Sequence, residues 1–163
     1  MAILVIYYSR SGNTQQMAHA VGEGVRAEGL EAVVKPVSET RVEELLEADG
    51  FILGSPTYYG TLAWPIKQFI DESVKYHGKL VGKVGGAFTS SGGAGGGNET
   101  TLLSMLQALL IHGMIIQGTS SGDHYGPVSV KSPDDKALER CRALGGRVAK
   151  LAKALADIQL RNM

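Results

Sequence analysis

The segment from Ser9 to Thr14 has the sequence Ser-Arg-Ser-Gly-Asn-Thr, which places three hydroxyl groups, a guanidinium and a glycine in six residues. An apolar, β-branched run precedes it, and a helical pattern with Met17, Val21 and Val25 on one face follows it. The first N–H groups of a helix lack intrahelical partners and lie at the positive end of its dipole. The segment therefore predicts a loop that binds a phosphate through hydrogen bonds. A simple strand-to-helix turn with a Ser or Thr cap is the alternative.

This loop differs from the two best-known phosphate-binding motifs. It lacks the Gly-x-x-x-x-Gly-Lys-Ser/Thr pattern of a P-loop and the Gly-x-Gly-x-x-Gly pattern of a dinucleotide-binding turn. The order Ser-x-Ser-Gly-Asn-Thr after a first strand resembles instead the FMN phosphate loop of flavodoxins, with Ser where many members have Thr at the first and third positions. The resemblance implies that this loop binds the phosphate of FMN.

Apolar runs alternate with helical patterns along the whole chain. Strands are predicted at 2–8, 31–36, 51–53, 84–89 and 114–116, and helices at 14–28, 41–48, 65–75, 99–111 and 133–158, with Asn98 as the cap of the fourth helix. This alternation predicts an α/β fold with a five-stranded parallel sheet and helices on both faces. We expect residues 1–163 to form a single domain. The flavodoxin resemblance implies a doubly wound sheet in the order 2-1-3-4-5.

Loops rich in Gly, Ser, Thr or Tyr follow four of these predicted strands, at 9–14, 55–60, 89–97 and 119–126. In open parallel sheets, ligands bind outside the carboxyl ends of the strands. The four loops are therefore expected to share one edge. Tyr58 and Tyr59 offer flat surfaces for a ring system, and the glycines at 92–97 offer consecutive N–H groups. The alternatives are a tyrosine that packs on the next helix and a glycine loop that is only mobile.

A narrower resemblance covers nearly the whole chain. The segments Gly54 to Gly60, Phe88 to Glu99, His112-Gly113-Met114 and His124-Tyr125-Gly126 are similar to WrbA-type NAD(P)H:quinone oxidoreductases of the flavodoxin-like superfamily. The stretch 73–83 is shorter than the family's insertion, which carries an aromatic that covers the flavin of a neighbouring subunit; Tyr76 is a candidate replacement.

This resemblance implies an FMN-dependent enzyme that transfers two electrons from NADH or NADPH to a quinone, working as a homodimer or homotetramer. It implies that His112 lies beside the flavin as a catalytic group and that Ser11 lies near a bound nicotinamide nucleotide. The alternative for His112 is a histidine at a helix C-terminus that satisfies a carbonyl group. The residues expected to bind FMN are Ser9, Arg10, Ser11, Gly12, Asn13, Thr14, Pro56, Thr57, Tyr58, Tyr59, Gly60, Thr89, Ser90, Ser91, Gly92, Gly93, Ala94, Gly95, Gly96, Gly97 and His112. An electron-carrier flavodoxin with the same cofactor and no small-molecule turnover is the alternative function, and an interaction domain without flavin is a third.

Composition restricts the remaining possibilities. Lys plus Arg equals Asp plus Glu at 16 each, which argues against nucleic acid as a partner. No apolar run approaches the roughly 20 residues of a membrane span, and no signal peptide is recognised, so a cytoplasmic protein is expected. The single cysteine, Cys141, lies on the apolar face of the last helix and is expected in the core.

Two further chemistries are disfavoured by spacing. The histidines show no metal-ligand pattern, so no metal site is expected. The segment 118–122 fits Gly-x-Ser-x-Gly, but it continues into a polar loop where a nucleophile elbow would turn directly into a helix.

Overall fold

The computed structural model describes residues 1–161, which form an α/β structure built on one sheet. In chain order the strands are β1 (Ala2–Tyr7), β2 (Glu31–Pro36), β3 (Gly50–Tyr58), β4 (Thr61–Leu62), β5 (Val84–Ser91), β6 (Ile115–Ile116) and β7 (Val128–Val130). The helices are α1 (Asn13–Ala27), α2 (Glu44–Glu47), α3 (Trp64–Glu72), α4 (Asn98–Ile111) and α5 (Asp135–Arg161). Short 3₁₀ turns cover Val37–Glu39 and Ser73–Tyr76.

The sheet has the order β2-β1-β3-β5-β6, and all of these neighbours are parallel. This is the predicted 2-1-3-4-5 order, since β4 is a two-residue strand that only pairs back onto β3. The order reverses at β1, so the carboxyl ends of β1 and β3 lie at a topological switch point, where open α/β sheets bind their ligands.

Side chains of β1 alternate between two cores, one on each face of the sheet. Leu4 and Ile6 belong to the cluster packed by α2, α3 and α4, whereas Ile3 and Val5 belong to the cluster packed by α1 and α5. The prediction of helices on both faces is therefore confirmed. Cys141 is fully buried in the second cluster, and burial raises the pKa of its thiol to about 12, so this thiol stays protonated at neutral pH.

The fifth strand position is divided, which the sequence analysis missed. β6 pairs only with Val84 and Gly85 at the amino end of β5, while β7 pairs with Thr89, Ser90 and Ser91 at its carboxyl end. β7 lies between the predicted loop and the predicted last helix, in a stretch to which no element was assigned; the Val-Ser-Val alternation at 128–130 was the available indication. Within residues 1–161, no helix combines the length and the apolar character that crossing a bilayer requires.

Candidate functional site

Three of the predicted loops meet in one cleft at the carboxyl edge of the sheet. The cleft has a volume of about 420 Å³ and is formed by the loop after β1, the last residues of β3, and the end of β5 with the first residue of its loop. Its lining residues are Arg10, Ser11, Asn13, Thr14, Pro56, Thr57, Tyr58, Ser90, Ser91 and Gly92. All ten belong to the set expected to bind a cofactor, and they come from sequence positions as far apart as Arg10 and Gly92.

The floor of the cleft contains the N-terminus of α1, whose polar groups suit an anion. Gly12 is the N-cap residue, with φ 90° and ψ −11°, and no side chain caps the helix. The Gly12 N–H donates to Ser9 Oγ at 3.1 Å, so the Ser9 hydroxyl holds the loop and does not cap the helix. The first N–H groups of α1 therefore remain free of side-chain partners beside the hydroxyls of Ser11 and Thr14, an arrangement that fits a phosphate.

A buried hydroxyl pair joins the first and third loops. Thr14 Oγ1 lies 2.8 Å from Ser90 Oγ, and these side chains are 1% and 4% exposed. Since burial strengthens a hydrogen bond and makes an unpaired hydroxyl costly, this pair fixes the width of the cleft.

The second loop is a tight hairpin that projects from the sheet. Thr57 pairs with Leu62 and Tyr58 with Thr61, leaving Tyr59 and Gly60 as the two turn residues. Their φ angles are 49° and 80°, so both lie in the left-handed region that a type I′ hairpin requires. Tyr59 points into solvent, while the Tyr58 ring meets the Tyr8 ring edge-on, with centroids 6.4 Å apart.

The hairpin and the glycine loop support each other through their backbones. A Cβ at Gly97 would lie 2.4 Å from Gly60 Cα, and Gly97 has φ 104°. Thr57 Oγ1 lies 3.0 Å from Thr89 Oγ1 and 3.2 Å from Asn98 Oδ1. The prediction that Asn98 caps α4 is therefore wrong: Gly97 is the N-cap, and the Asn98 side chain supports the hairpin instead.

Other residues expected at the site surround this cleft without lining it. Ser9 lines a neighbouring cleft, Tyr59 and Gly60 form the hairpin tip, and Thr89 is fully buried beneath the loops. The segment 93–96 forms an exposed arc next to Gly92, and Gly97 is half-buried against Gly60. Sequence reasoning did not single out Ser55, whose buried Oγ accepts the Ala63 N–H at 2.8 Å and thereby ties the start of the hairpin to α3.

The fourth predicted loop, at 119–126, does not line this cleft. β6 pairs only with the first two residues of β5, so the following chain leaves the sheet near its amino half. A Cβ at Gly126 would lie 2.0 Å from the Ala87 carbonyl oxygen, which places the end of this loop beside the middle of β5. This loop joins β6 to β7, so it interrupts the fifth strand position and does not follow the carboxyl end of that strand.

His112 lies away from the cleft. It is the C-cap residue of α4, and the 14 residues of this helix separate it from the glycine loop by about 21 Å at 1.5 Å per residue. Ser73 Oγ donates to the Ile70 carbonyl at 2.6 Å, so His112 Nε2–H donates to Ser73 Oγ at 2.8 Å. Burial, and secondarily His77, lowers the pKa of His112. Within one chain, the structure therefore separates His112 from the cleft, against the expectation from the resemblance.

Comparison with known proteins agrees with this architecture. A family model described as flavodoxin matches residues 5–109, the part of the chain that contains all three loops of the cleft. The chain belongs to the flavodoxin family. A relative named flavodoxin from Aquifex aeolicus is 41% identical over 95% of this chain and 89% of its own length. A relative named NAD(P)H dehydrogenase (quinone) from Archaeoglobus fulgidus is 39% identical over 94% of this chain and 98% of its own length.

Solved structures of the flavodoxin family share the fold. A WrbA-like flavodoxin from Agrobacterium tumefaciens superposes with a TM-score of 0.82 at 32% identity, covering 94% of this chain and 98% of the other. An archaeal flavodoxin gives a TM-score of 0.80 at 30% identity, covering 94% of this chain and 99% of the other.

Proposed function

We propose that this protein is an FMN-dependent oxidoreductase that transfers two electrons from NADH or NADPH to a quinone. The observation that carries the proposal is the convergence of an uncapped helix N-terminus, a tyrosine-bearing hairpin and a glycine loop on one cleft. These are the parts that a mononucleotide with an anionic tail and a flat ring requires.

The residues of the cleft divide between the two ends of FMN. Ser11, Thr14 and the free N–H groups at the start of α1 would hold the phosphate, with Arg10 as the positively charged group of the lining. Tyr58 would form an aromatic wall for the ring, and Ser91 and Gly92 begin the loop whose N–H groups would face the ring's polar edge.

FMN supplies the two-electron chemistry when it is bound, so the protein needs no nucleophile and no metal for the transfer. The contribution of the chain is orientation. The Thr14–Ser90 pair holds two loops at a fixed separation, and the Gly60–Gly97 contact holds the hairpin against the glycine loop. Both contacts lie within the chain and hold the loops in register for a ligand, which favours tight binding.

The names of relatives support an enzyme. Proteins named NAD(P)H dehydrogenase (quinone) from Archaeoglobus fulgidus and from Sinorhizobium fredii are 39% and 36% identical to this chain, each over at least 94% of its length. The decisive experiment is turnover by FMN-loaded protein. We expect oxidation of NADH or NADPH, followed at 340 nm, that depends on added benzoquinone and disappears without FMN.

An electron carrier is the second candidate, because the Aquifex aeolicus relative at 41% identity is named flavodoxin. A carrier would bind FMN as tightly, yet would oxidise neither NADH nor NADPH with benzoquinone present. Zero net charge weakens this candidate, since carriers that find charged partners by steering need a strongly charged surface. Turnover above that of free FMN at equal concentration excludes the carrier.

We also propose that the chain forms a homodimer or homotetramer and works in the cytoplasm, where reduced dinucleotides are available. Large apolar side chains are exposed together near the C-terminus of α4: Val74, Val81, Leu110 and Ile111 are 58–71% exposed. Tyr76 lies near them but is held inward, since its hydroxyl donates to Glu43 Oε1 at 3.0 Å. Analytical ultracentrifugation of wild type and Ile111→Asp tests the assembly: we expect an oligomer that the substitution weakens.

A further inference from the structure

A second cleft, larger than the first, opens at the same edge of the sheet. Its volume is about 680 Å³, and it lies between the carboxyl ends of β1 and β2 and one face of α3 along its whole length. Ser9 lines this cleft, whereas the next residue, Arg10, lines the first cleft. Tyr8 lines the second cleft and meets Tyr58 of the first cleft edge-on, at 6.4 Å between centroids. The two clefts are therefore neighbours separated by a tyrosine pair.

The lining of the second cleft suits a flat, uncharged group. Trp64, the only tryptophan in the sequence, is 72% exposed and presents its indole at the wall. Gln15 supplies an amide group that can both donate and accept hydrogen bonds, whereas the Gln68 amide nitrogen donates to Glu72 Oε1 at 2.8 Å and leaves its amide oxygen as an acceptor. Glu72 is the only charged residue of the lining, and neither Lys nor Arg contributes. A phosphate therefore finds no cationic partner here, while a heteroaromatic base finds a stacking surface and amide partners.

Resting on the function proposed above, we propose that this second cleft binds the adenosine end of the dinucleotide and that it selects NADH over NADPH. The nicotinamide must reach the flavin in the first cleft, so the other end of the same molecule needs a neighbouring site. Adenine is planar and carries hydrogen-bond donors and acceptors, and its ribose is uncharged in NADH. In NADPH the ribose carries a 2′-phosphate, which dinucleotide sites commonly accommodate with an arginine. The lining of this cleft offers that phosphate no cation, and its one charged group is the Glu72 carboxylate, which disfavours a second negative charge.

The kinetic test compares NADH with reduced nicotinamide mononucleotide, which lacks the adenosine. For Trp64→Ala, we expect the ratio of kcat/KM for NADH to kcat/KM for the mononucleotide to fall at least about tenfold, the effect of losing one aromatic stacking contact. Trp64→Phe should restore most of this ratio. Lys67→Ala, an exposed substitution on the same helix outside the lining, is the matched control. An unchanged ratio in Trp64→Ala would overturn the proposal.

The charge test uses Glu72. We expect wild type to prefer NADH to NADPH by at least about tenfold in kcat/KM, and Glu72→Lys to raise kcat/KM for NADPH by about tenfold, the scale of one close charge contact near a surface. An equal preference for the two dinucleotides in wild type, with no response to Glu72→Lys, would overturn the selectivity.

A binding measurement separates this proposal from the proposed function. ADP-ribose carries the adenosine and no nicotinamide, so its binding to FMN-loaded protein, measured by calorimetry, requires no turnover. We expect binding that Trp64→Ala weakens at least about tenfold. If ADP-ribose binds in this way but NADH is not oxidised, the enzyme proposal fails and the cleft assignment stands. If NADH is oxidised and ADP-ribose does not bind, or if Trp64→Ala alters only the sedimentation behaviour, the cleft assignment fails.

Discussion

The two edges of the sheet differ in where their polar groups find partners. At the amino edge, Lys83 Nζ donates to the carbonyl oxygens of Leu45, Leu46 and Ala48, and it thereby caps the end of α2. At the carboxyl edge, α1 and α4 begin at Gly12 and Gly97 without any side-chain cap. At the amino edge Lys83 thus satisfies the last carbonyl groups of α2, although the buried His112 Nδ1 has no partner among the described residues, whereas the carboxyl edge leaves backbone N–H groups available. A ligand can therefore bind at the carboxyl edge, where backbone N–H groups have no hydrogen-bond partner within the fold.

The largest effect is expected from inserting a side chain where the hairpin touches the glycine loop. Gly97→Ala places a Cβ 2.4 Å from Gly60 Cα, closer than the two atoms can approach, and imposes a side chain on a φ of 104°. We expect the free energy of unfolding to fall by about 2–4 kcal/mol and the FMN dissociation constant to rise at least tenfold. Denaturant unfolding and FMN fluorescence titration measure the two effects.

Gly93→Ala is the matched control for that substitution. Gly93 belongs to the same loop, but a Cβ there meets nothing within 4 Å and its φ is not positive. The free energy of unfolding of Gly93→Ala should therefore remain close to that of wild type. A Gly93→Ala variant as damaged as Gly97→Ala would show that the whole loop, and not the Gly60 contact, sets the geometry of the cleft.

The next effect tests whether Thr14 and Ser90 act as one unit. Thr14→Val and Ser90→Ala each leave a buried hydroxyl without its partner at 2.8 Å, which should cost about 1–3 kcal/mol of unfolding free energy. The double variant should cost less than the sum of the singles, by about 1 kcal/mol. FMN affinity should follow the same pattern, because the pair sets the separation of two loops. Additive losses in the unfolding free energy would mean that the two hydroxyls are not coupled.

The next prediction concerns His112, which lies at the amino edge of the sheet. Burial lowers the pKa of His112, with a contribution from His77, so the unfolded chain binds the proton more tightly than the folded chain. The stability of wild type should fall as pH drops below the ordinary histidine value of about 6.5, and it should level off once the folded state is protonated as well. His112→Asn should flatten this dependence and, in monomeric protein, change the FMN dissociation constant less than about twofold, because α4 separates His112 from the cleft by about 21 Å.

Melting temperatures between pH 7.5 and 5.5 measure the effect, with the exposed His19→Asn as control. A tenfold loss of FMN affinity in monomeric His112→Asn would place this histidine at the cleft after all. The same loss confined to oligomeric protein would indicate that a second chain brings it there.

The sequence was sufficient to predict what local chemistry determines. Buried β-branched runs located the main strands, and the small-residue loops that followed β1, β3 and β5 located the cleft. The position of His112 could also have been derived, because a 14-residue helix that starts at the carboxyl edge and crosses the sheet must end at the amino edge. The alternative of a histidine at a helix C-terminus agrees with this geometry.

Other features depend on pairings that one sequence does not display. The fifth strand is divided because β6 pairs with β5 only as far as Gly85, which leaves the carboxyl end of β5 to pair with β7. The hairpin at Thr57–Leu62 has Tyr-Gly at its turn, whereas the usual indication of such a turn is Asn-Gly or Asp-Gly. The second cleft arises between α3 and the turn after β2, which are far apart in sequence, so nothing about Trp64 alone indicated it.

The smallest effect is expected at Tyr59, a turn residue of the hairpin Thr57–Leu62 whose positive φ is unfavourable for a tyrosine. In the described part of the chain, Tyr59 and Lys131 are the two non-glycine residues with positive φ, at 49° and 64°. Asn tolerates this region better than Tyr or Lys, so Tyr59→Asn and Lys131→Asn should each raise the free energy of unfolding by about 0.5–1 kcal/mol.

The two variants should differ in function. Lys131 lies outside both clefts, so turnover with benzoquinone should remain that of wild type, whereas Tyr59→Asn removes an exposed aromatic surface next to Tyr58 and should raise KM for the quinone about two- to fivefold. A Tyr59→Asn variant that gains stability and keeps its KM would mean that the strained tyrosine contributes nothing to the acceptor site, and the difference between the two edges would then rest on backbone groups alone.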